Sequence, residues 1–202
     1  PVSNGTELAD NANEALGMTV KNYDRSGFAH LNNSGVGAYN DDGSLKSNAR
    51  VLYVTAQTAK TVTCEVKTGS KATNVAVYTG LQAIIGAYQK GYETRPLDVR
   101  FIGLVEKADL DAVFSSAEGL QIKGKNAYSN LYITLEGIGD DATIRGFGFL
   151  LRNAANVELR NFAIMRCMDD GVSLDTDNKY IWVHNLDLFY GQKGSDADQV
   201  KG

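Results

Sequence analysis

Asn130-Leu-Tyr-Ile-Thr-Leu-Glu-Gly-Ile138, Ala154-Ala-Asn-Val-Glu-Leu-Arg-Asn-Phe162 and Asn178-Lys-Tyr-Ile-Trp-Val-His-Asn-Leu186 are three versions of one segment, each 24 residues after the last. Ile133, Val157 and Ile181 share a column, as do Leu135, Leu159 and Val183. Gly137, Asn161 and Asn185 form a third, followed by Ile138, Phe162 and Leu186. A second set carries the same offset of 24, since Leu150 precedes Leu174 and Leu120 precedes Ile144 by that interval. A period of roughly 20 to 50 residues marks units stacked on their neighbours. Within each unit apolar and polar residues alternate, which belongs to a strand and not to a helix. At about 3.3 Å per residue, such a unit makes one coil of two or three short strands, with nothing left for a crossover helix. The expected fold is all-β, a parallel β-helix with about 24 residues per coil.

Coils stacked about 4.8 Å apart turn each column into a ladder of touching side chains. The Ile133 and Leu135 columns are expected to fill the interior. The columns Thr134, Glu158, Trp182 and Glu136, Arg160, His184 are expected to face outward. Asn161 and Asn185 mark a bend whose backbone groups need partners, which stacked Asn side chains supply. An open cylinder exposes strand edges and needs a cap. The stretch Thr79 to Lys90 is the candidate capping α-helix at the N-terminal end of the coils. Leu81, Ile84, Ile85 and Tyr88 have helical spacing, Thr79-Gly-Leu-Gln82 has the form of a capping box, and Gly91 is a plausible stop. Val51 to Thr55, Thr61 to Lys67 and Asp98 to Val105 read as strands. Residues 1–48, rich in Asn, Asp, Gly and Ser, read as an irregular wrapping segment, and 49–202 as the N-terminal part of a single β-helix domain.

Composition narrows the partners. The net charge of -4 removes the electrostatic term on which nucleic-acid binding rests, so no nucleic-acid partner is expected. An acidic polysaccharide remains compatible, because a dication bridges a carboxylate substrate to a carboxylate-rich protein. No apolar run approaches the roughly 20 residues that cross a bilayer, so no membrane role is expected. Cys64 and Cys167 lack metal-ligand spacing and are expected as buried free thiols in preference to a disulfide. His30 and His184 have no Ser or Cys partner at a triad spacing.

Asp169-Asp-Gly-Val-Ser-Leu174, Tyr180-Ile-Trp-Val-His-Asn185 and Gly194-Ser-Asp-Ala-Asp-Gln-Val-Lys-Gly202 resemble the pectate lyase superfamily of polysaccharide lyases, over about residues 130–202. One departure is that the family's Asp between the Val and His of the Trp-Val-His-Asn strand is missing here. The resemblance implies a secreted, right-handed β-helix that cleaves polygalacturonate by calcium-assisted β-elimination. It places the first calcium aspartate at Asp170, with Asp169 beside it, and sets Asp196 and Asp198 near the expected second cluster. Lys201 would meet a substrate carboxylate and Trp182 would stack on a sugar ring. Plainer roles stay open for each: solvated turn carboxylates, a solvent-facing acidic loop, a solvated lysine, and a tryptophan packed under a loop.

The family's basic arginine is expected beyond Gly202, since Arg145, Arg152, Arg160 and Arg166 all precede the calcium segment. The chain is therefore expected to stop before the catalytic coils and to be inactive alone, with the remainder in a continuation or a second chain. Two other readings share the fold. A polygalacturonase-like hydrolase would use Asp169 and Asp170 as acid and base, and a non-catalytic β-helix would only bind polysaccharide.

Overall fold

Val, Ile, Leu and Phe at alternate positions favour short extended strands that bury one side. The computed structural model of the chain describes residues 20–113 and 119–189. Its elements run β1 (Arg50–Val54), β2 (Thr63–Lys67), β3 (Val75–Thr79), α1 (Leu81–Tyr88), β4 (Leu97–Phe101), β5 (Leu104–Glu106) and β6 (Gly119–Lys123). They continue with β7 (Ser129–Gly137), β8 (Thr143–Arg145), β9 (Gly148–Arg152), β10 (Ala154–Met165), β11 (Val172–Leu174) and β12 (Lys179–Leu188). One sheet has the order β1-β4-β7-β10-β8-β5 with β12 also on β10, and a second has the order β11-β9-β6. All pairings in these two sheets are parallel, whereas β2 and β3 form an antiparallel hairpin. The molecule is mostly β, and its parallel strands nearly close into a barrel-like sheet around one apolar interior.

The principal columns stack as the repeat predicts. Val157 lies opposite Ile133 and Ile181, and Leu159 opposite Leu135 and Val183, at intervals of 24 residues. Earlier rungs are longer: Leu52 pairs with Val99 and Val99 with Leu135, intervals of 47 and 36. The first interval contains the β2–β3 hairpin and α1; the second contains β5, β6 and the chain between them. The second set of sequence matches is corrected. Leu174 pairs with Leu151, and Leu150 with Ser173, one residue from the expected register. Leu120 pairs with Phe149, whereas Ile144 lies on another strand between Val105 and Ile164. Turns of unequal length between the strands account for both errors.

The bends are built from left-handed residues. Asn161 and Asn185 have φ of 58° and 50°, and Tyr132, Asn156 and Tyr180, again 24 apart, have 51°, 56° and 54°. Asn tolerates this conformation because its short side chain bonds locally. Asn161 Nδ2 donates to the carbonyls of Gly137 at 2.6 Å and Gly139 at 3.1 Å. The Tyr positions carry no such signature, which is why the second bend is not visible in the sequence.

The helix corrects a second expectation. The Thr79 to Gln82 capping box does not form; Gly80 occupies the N-cap position without a side-chain bond. Asp111 supplies the cap instead, accepting from the amides of Gln82 at 2.8 Å and Ala83 at 2.9 Å. Gln82 is thereby free to pair with β6: its amide nitrogen donates to the Gln121 carbonyl at 3.1 Å, and its oxygen accepts from the Gln121 N–H at 2.8 Å. One side chain thus satisfies both backbone groups of an edge-strand residue. Cys64 and Cys167 are buried free thiols, and no helix among the described residues is long and apolar enough to cross a membrane.

The outward columns are turned away from the apolar interior but are not solvated. Thr134, Glu136, Glu158 and Arg160 are at most 1% exposed, because residues 20–46 lie across them. Ala38 N–H donates to Thr134 Oγ1 at 2.9 Å, and Asn33 Nδ2 donates to Asn156 Oδ1 at 2.8 Å. Lys46 Nζ, over the Tyr132 ring, donates to the carbonyls of Gly35 at 2.6 Å and Gly37 at 2.8 Å, closing this segment on itself.

Candidate functional site

Asp169 and Asp170 sit in the bend that joins β10 to β11, both half-buried. Their parity with Val172 would point Asp170 inward along a straight strand. β11 begins only at Val172, however, so the bend frees both carboxylates from the strand alternation. The bend closes tightly on β9. Phe149 N–H donates to the Gly171 carbonyl at 3.0 Å, and a Cβ at Gly148 would lie 2.4 Å from the Asp170 carbonyl oxygen. Glycine at 148 is therefore required for the approach. Burial pushes up the pKa of the neighbouring Cys167 thiol, with the Asp170 and Asp169 charges adding to the effect.

Calcium takes about six to eight oxygen ligands. The bend supplies two adjacent carboxylates, the hard oxygen donors that such an ion prefers, and further ligands are needed to complete a site. Among the described residues no three or more His, Cys, Asp or Glu side chains form a metal-holding group. Asp196, Asp198 and Lys201 lie outside the described residues.

Trp182 is held elsewhere, on the outer face of β12. Its ring stacks on His184 at 3.7 Å, meets the edge of His30 at 4.6 Å and lies 5.0 Å from the Arg25 guanidinium. Its contacts are those of a ring packed under residues 25–30.

Sequence reasoning missed a polar network on this same face. His184 Nε2 lies 3.0 Å from Glu158 Oε1, which also meets Arg25 Nη1 at 3.1 Å and Arg160 Nη1 at 3.2 Å. Arg160 continues to Glu136 at 2.8 Å, and the Tyr39 hydroxyl bridges Glu136 and Asp98. Arg100 closes the row, 2.8 Å from Asp98 and 2.9 Å from the Tyr53 hydroxyl. Burial disfavours ionised Glu158, yet His184, Arg160 and Arg25 overcome it and hold the carboxyl below its usual range. Asp98 goes the other way, well above that range, because complete burial and the Glu136 charge outweigh Arg100. An available signal was opposite charge on the outward face, Glu136 with Arg160 within one column and Glu158 with Arg160 in adjacent columns, at spacings of 24 and two. With its members closed off by residues 20–46, the network holds that segment to the sheet.

Comparison with protein-family models, with curated proteins and with solved structures finds no match.

Proposed function

We propose that the nearly closed parallel sheet is a right-handed β-helix capped by α1, and that the protein acts on polygalacturonate as a calcium-dependent, pectate lyase-like enzyme. The observation that carries this reading is the stacking of Ile133, Val157 and Ile181 at a constant 24 residues. The Asp169-Asp-Gly-Val-Ser-Leu174 and Trp182-Val-His-Asn185 segments, the two that carry the family resemblance, follow one another along the chain and contain β11 and part of β12.

Asp170 and Asp169 would hold the ion, with Asp198 as a further ligand. Calcium would supply charge withdrawal at the uronate carboxylate, easing loss of the neighbouring carbon-bound proton. The carboxylates of this chain position the ion. Such an enzyme is secreted. The alternative in a different class, a non-catalytic β-helix that binds polysaccharide, uses the same coils without calcium at Asp170. A hydrolase reading instead places Asp169 or Asp170 opposite a partner carboxylate at roughly 6.5 to 9.5 Å.

Retention on immobilised polygalacturonate decides between them. The lyase reading expects retention in calcium, release by chelator, and no retention on neutral galactan. Retention indifferent to chelator would favour hydrolase or simple binding.

A further inference from the structure

At one corner of the parallel sheet, the ends of three neighbouring strands bring three cations together around one carboxylate, Glu106. Glu106, Arg145 and Met165 are successive rungs of β5, β8 and β10. The next residues, Lys107, Gly146 and Arg166, turn the corner side by side, with Gly146 and Arg166 at φ of 84° and 52°. Gly146 N–H donates to the Met165 carbonyl at 3.0 Å, which fixes the spacing of the two turns.

Lys107, Arg145, Gly146 and Arg166, with Glu106, line a groove of about 340 Å³. Arg145 is paired to Glu106 at 2.9 Å. Lys107 and Arg166, both exposed, have no carboxylate partner among the described residues. A second hollow of about 310 Å³ shares Arg145 and Arg166 and is otherwise lined by Leu104, Thr143 and Met165. Leu104 is 44% exposed there, an apolar surface beside the cations.

A basic groove beside an apolar shelf matches a ligand that carries both features in one unit. A pyranose ring has a C–H face that rests on apolar side chains, and a uronate adds a carboxylate that a guanidinium receives through two N–H donors. Lys107 and Arg166, on the outer two of three rungs, stand about two strand spacings, or ~10 Å, apart at the backbone. That separation suits successive charges along a chain better than one small anion.

We propose that this groove is a calcium-independent binding site for the anionic sugar units of an acidic polysaccharide, with Arg166 and Lys107 as its principal contacts. The inference rests on the acidic-polysaccharide reading above but uses none of the residues assigned to calcium.

The test is a titration of the isotopically labelled 202-residue chain with trigalacturonate in the presence of chelator, followed by amide shifts. Shifts are expected at Lys107, Arg145, Gly146 and Arg166, weakening as salt is raised. Galactotriose, its neutral counterpart, should leave these amides unmoved. The double variant Lys107→Gln, Arg166→Asn should raise the Kd at least tenfold; Asn is chosen because it accepts the left-handed backbone at 166. Should that variant lose its fold, Lys107→Gln alone should still raise the Kd several-fold, and an unchanged value would overturn the proposal. Equal shifts with galactotriose, or equal displacement by inorganic phosphate, would also overturn it. Binding that requires calcium and moves only residues 169–172 would sink the groove while leaving the lyase reading intact. Groove binding with no calcium effect at Asp170 would do the reverse, and no binding under either condition would remove both.

Discussion

Arg25 reaches Glu158 across 133 positions of sequence, Nη1 to Oε1 at 3.1 Å, with both side chains at most 1% exposed. The contact ties residues 20–46 to the middle strand of the stack. Removing one partner of a buried ion pair typically costs about 3–5 kcal/mol, because the other is left charged in a low-dielectric site. Arg160 and His184 stay with Glu158, so Arg25→Ala is expected at the lower end, about 3 kcal/mol in urea denaturation. The Arg25→Met, Glu158→Gln double variant should lose less than the sum of the single changes. A loss under about 1 kcal/mol for Arg25→Ala, the size of an exposed pair, would show that the segment is only loosely held.

Asn161 combines two requirements that substitutions separate. Asn161→Gly keeps access to the left-handed backbone and loses the bonds to Gly137 and Gly139. Asn161→Ala loses both, and should be about 1 kcal/mol less stable than the glycine variant. Equal stabilities would mean that the bend contributes only through its side-chain bonds.

The sequence made the last three rungs legible because there, alone among the described residues, consecutive rungs have equal length. Leu135, Leu159 and Val183 repeat at a constant 24 residues. The rungs through Leu52 and Val99 were invisible as repeats, since the 47- and 36-residue intervals contain an inserted hairpin and helix. Leu120 and Ile144 matched only by coincidence of spacing. Burial of Glu136 and Glu158 was hidden for a different reason: periodicity tells which side of a strand a residue takes, but not what another segment lays over it. For the site, Asp169 and Asp170 were readable as neighbours in a bend. The corner formed by Lys107 and Arg166 depends on register between distant strands and leaves no local pattern.

Gln82 offers a sharp test of the helix-to-edge contact. Its side chain must donate to and accept from Gln121 at once. Gln82→Glu keeps the shape but leaves the Gln121 carbonyl without its donor, and should cost about 1–3 kcal/mol, close to Gln82→Ala. Hydrogen exchange at Gln121 should quicken in Gln82→Ala. A fully stable Gln82→Glu would place the edge protection elsewhere.

Glu93 gives the acid limb of stability. Burial works against its charged form, but the Arg95 side chain, the Lys67 and Arg95 amides and the Arg95 charge hold it down to about 2. Because the folded value lies below the ordinary 4.5, the contribution is fully present above that pH and is lost as pH falls toward about 2. Glu93→Gln should be less stable at neutral pH and show a flatter stability curve across that window. An unchanged slope would assign the acid transition to other carboxylates.

Calorimetric titration of calcium into the chain, alone and with trigalacturonate present, tests the proposed activity at its centre. The account predicts that calcium binds, that trigalacturonate tightens it and is itself bound more tightly in calcium, as reciprocal linkage requires, and that Asp170→Asn abolishes the coupling. Calcium affinity unaffected by both trigalacturonate and Asp170→Asn would contradict it.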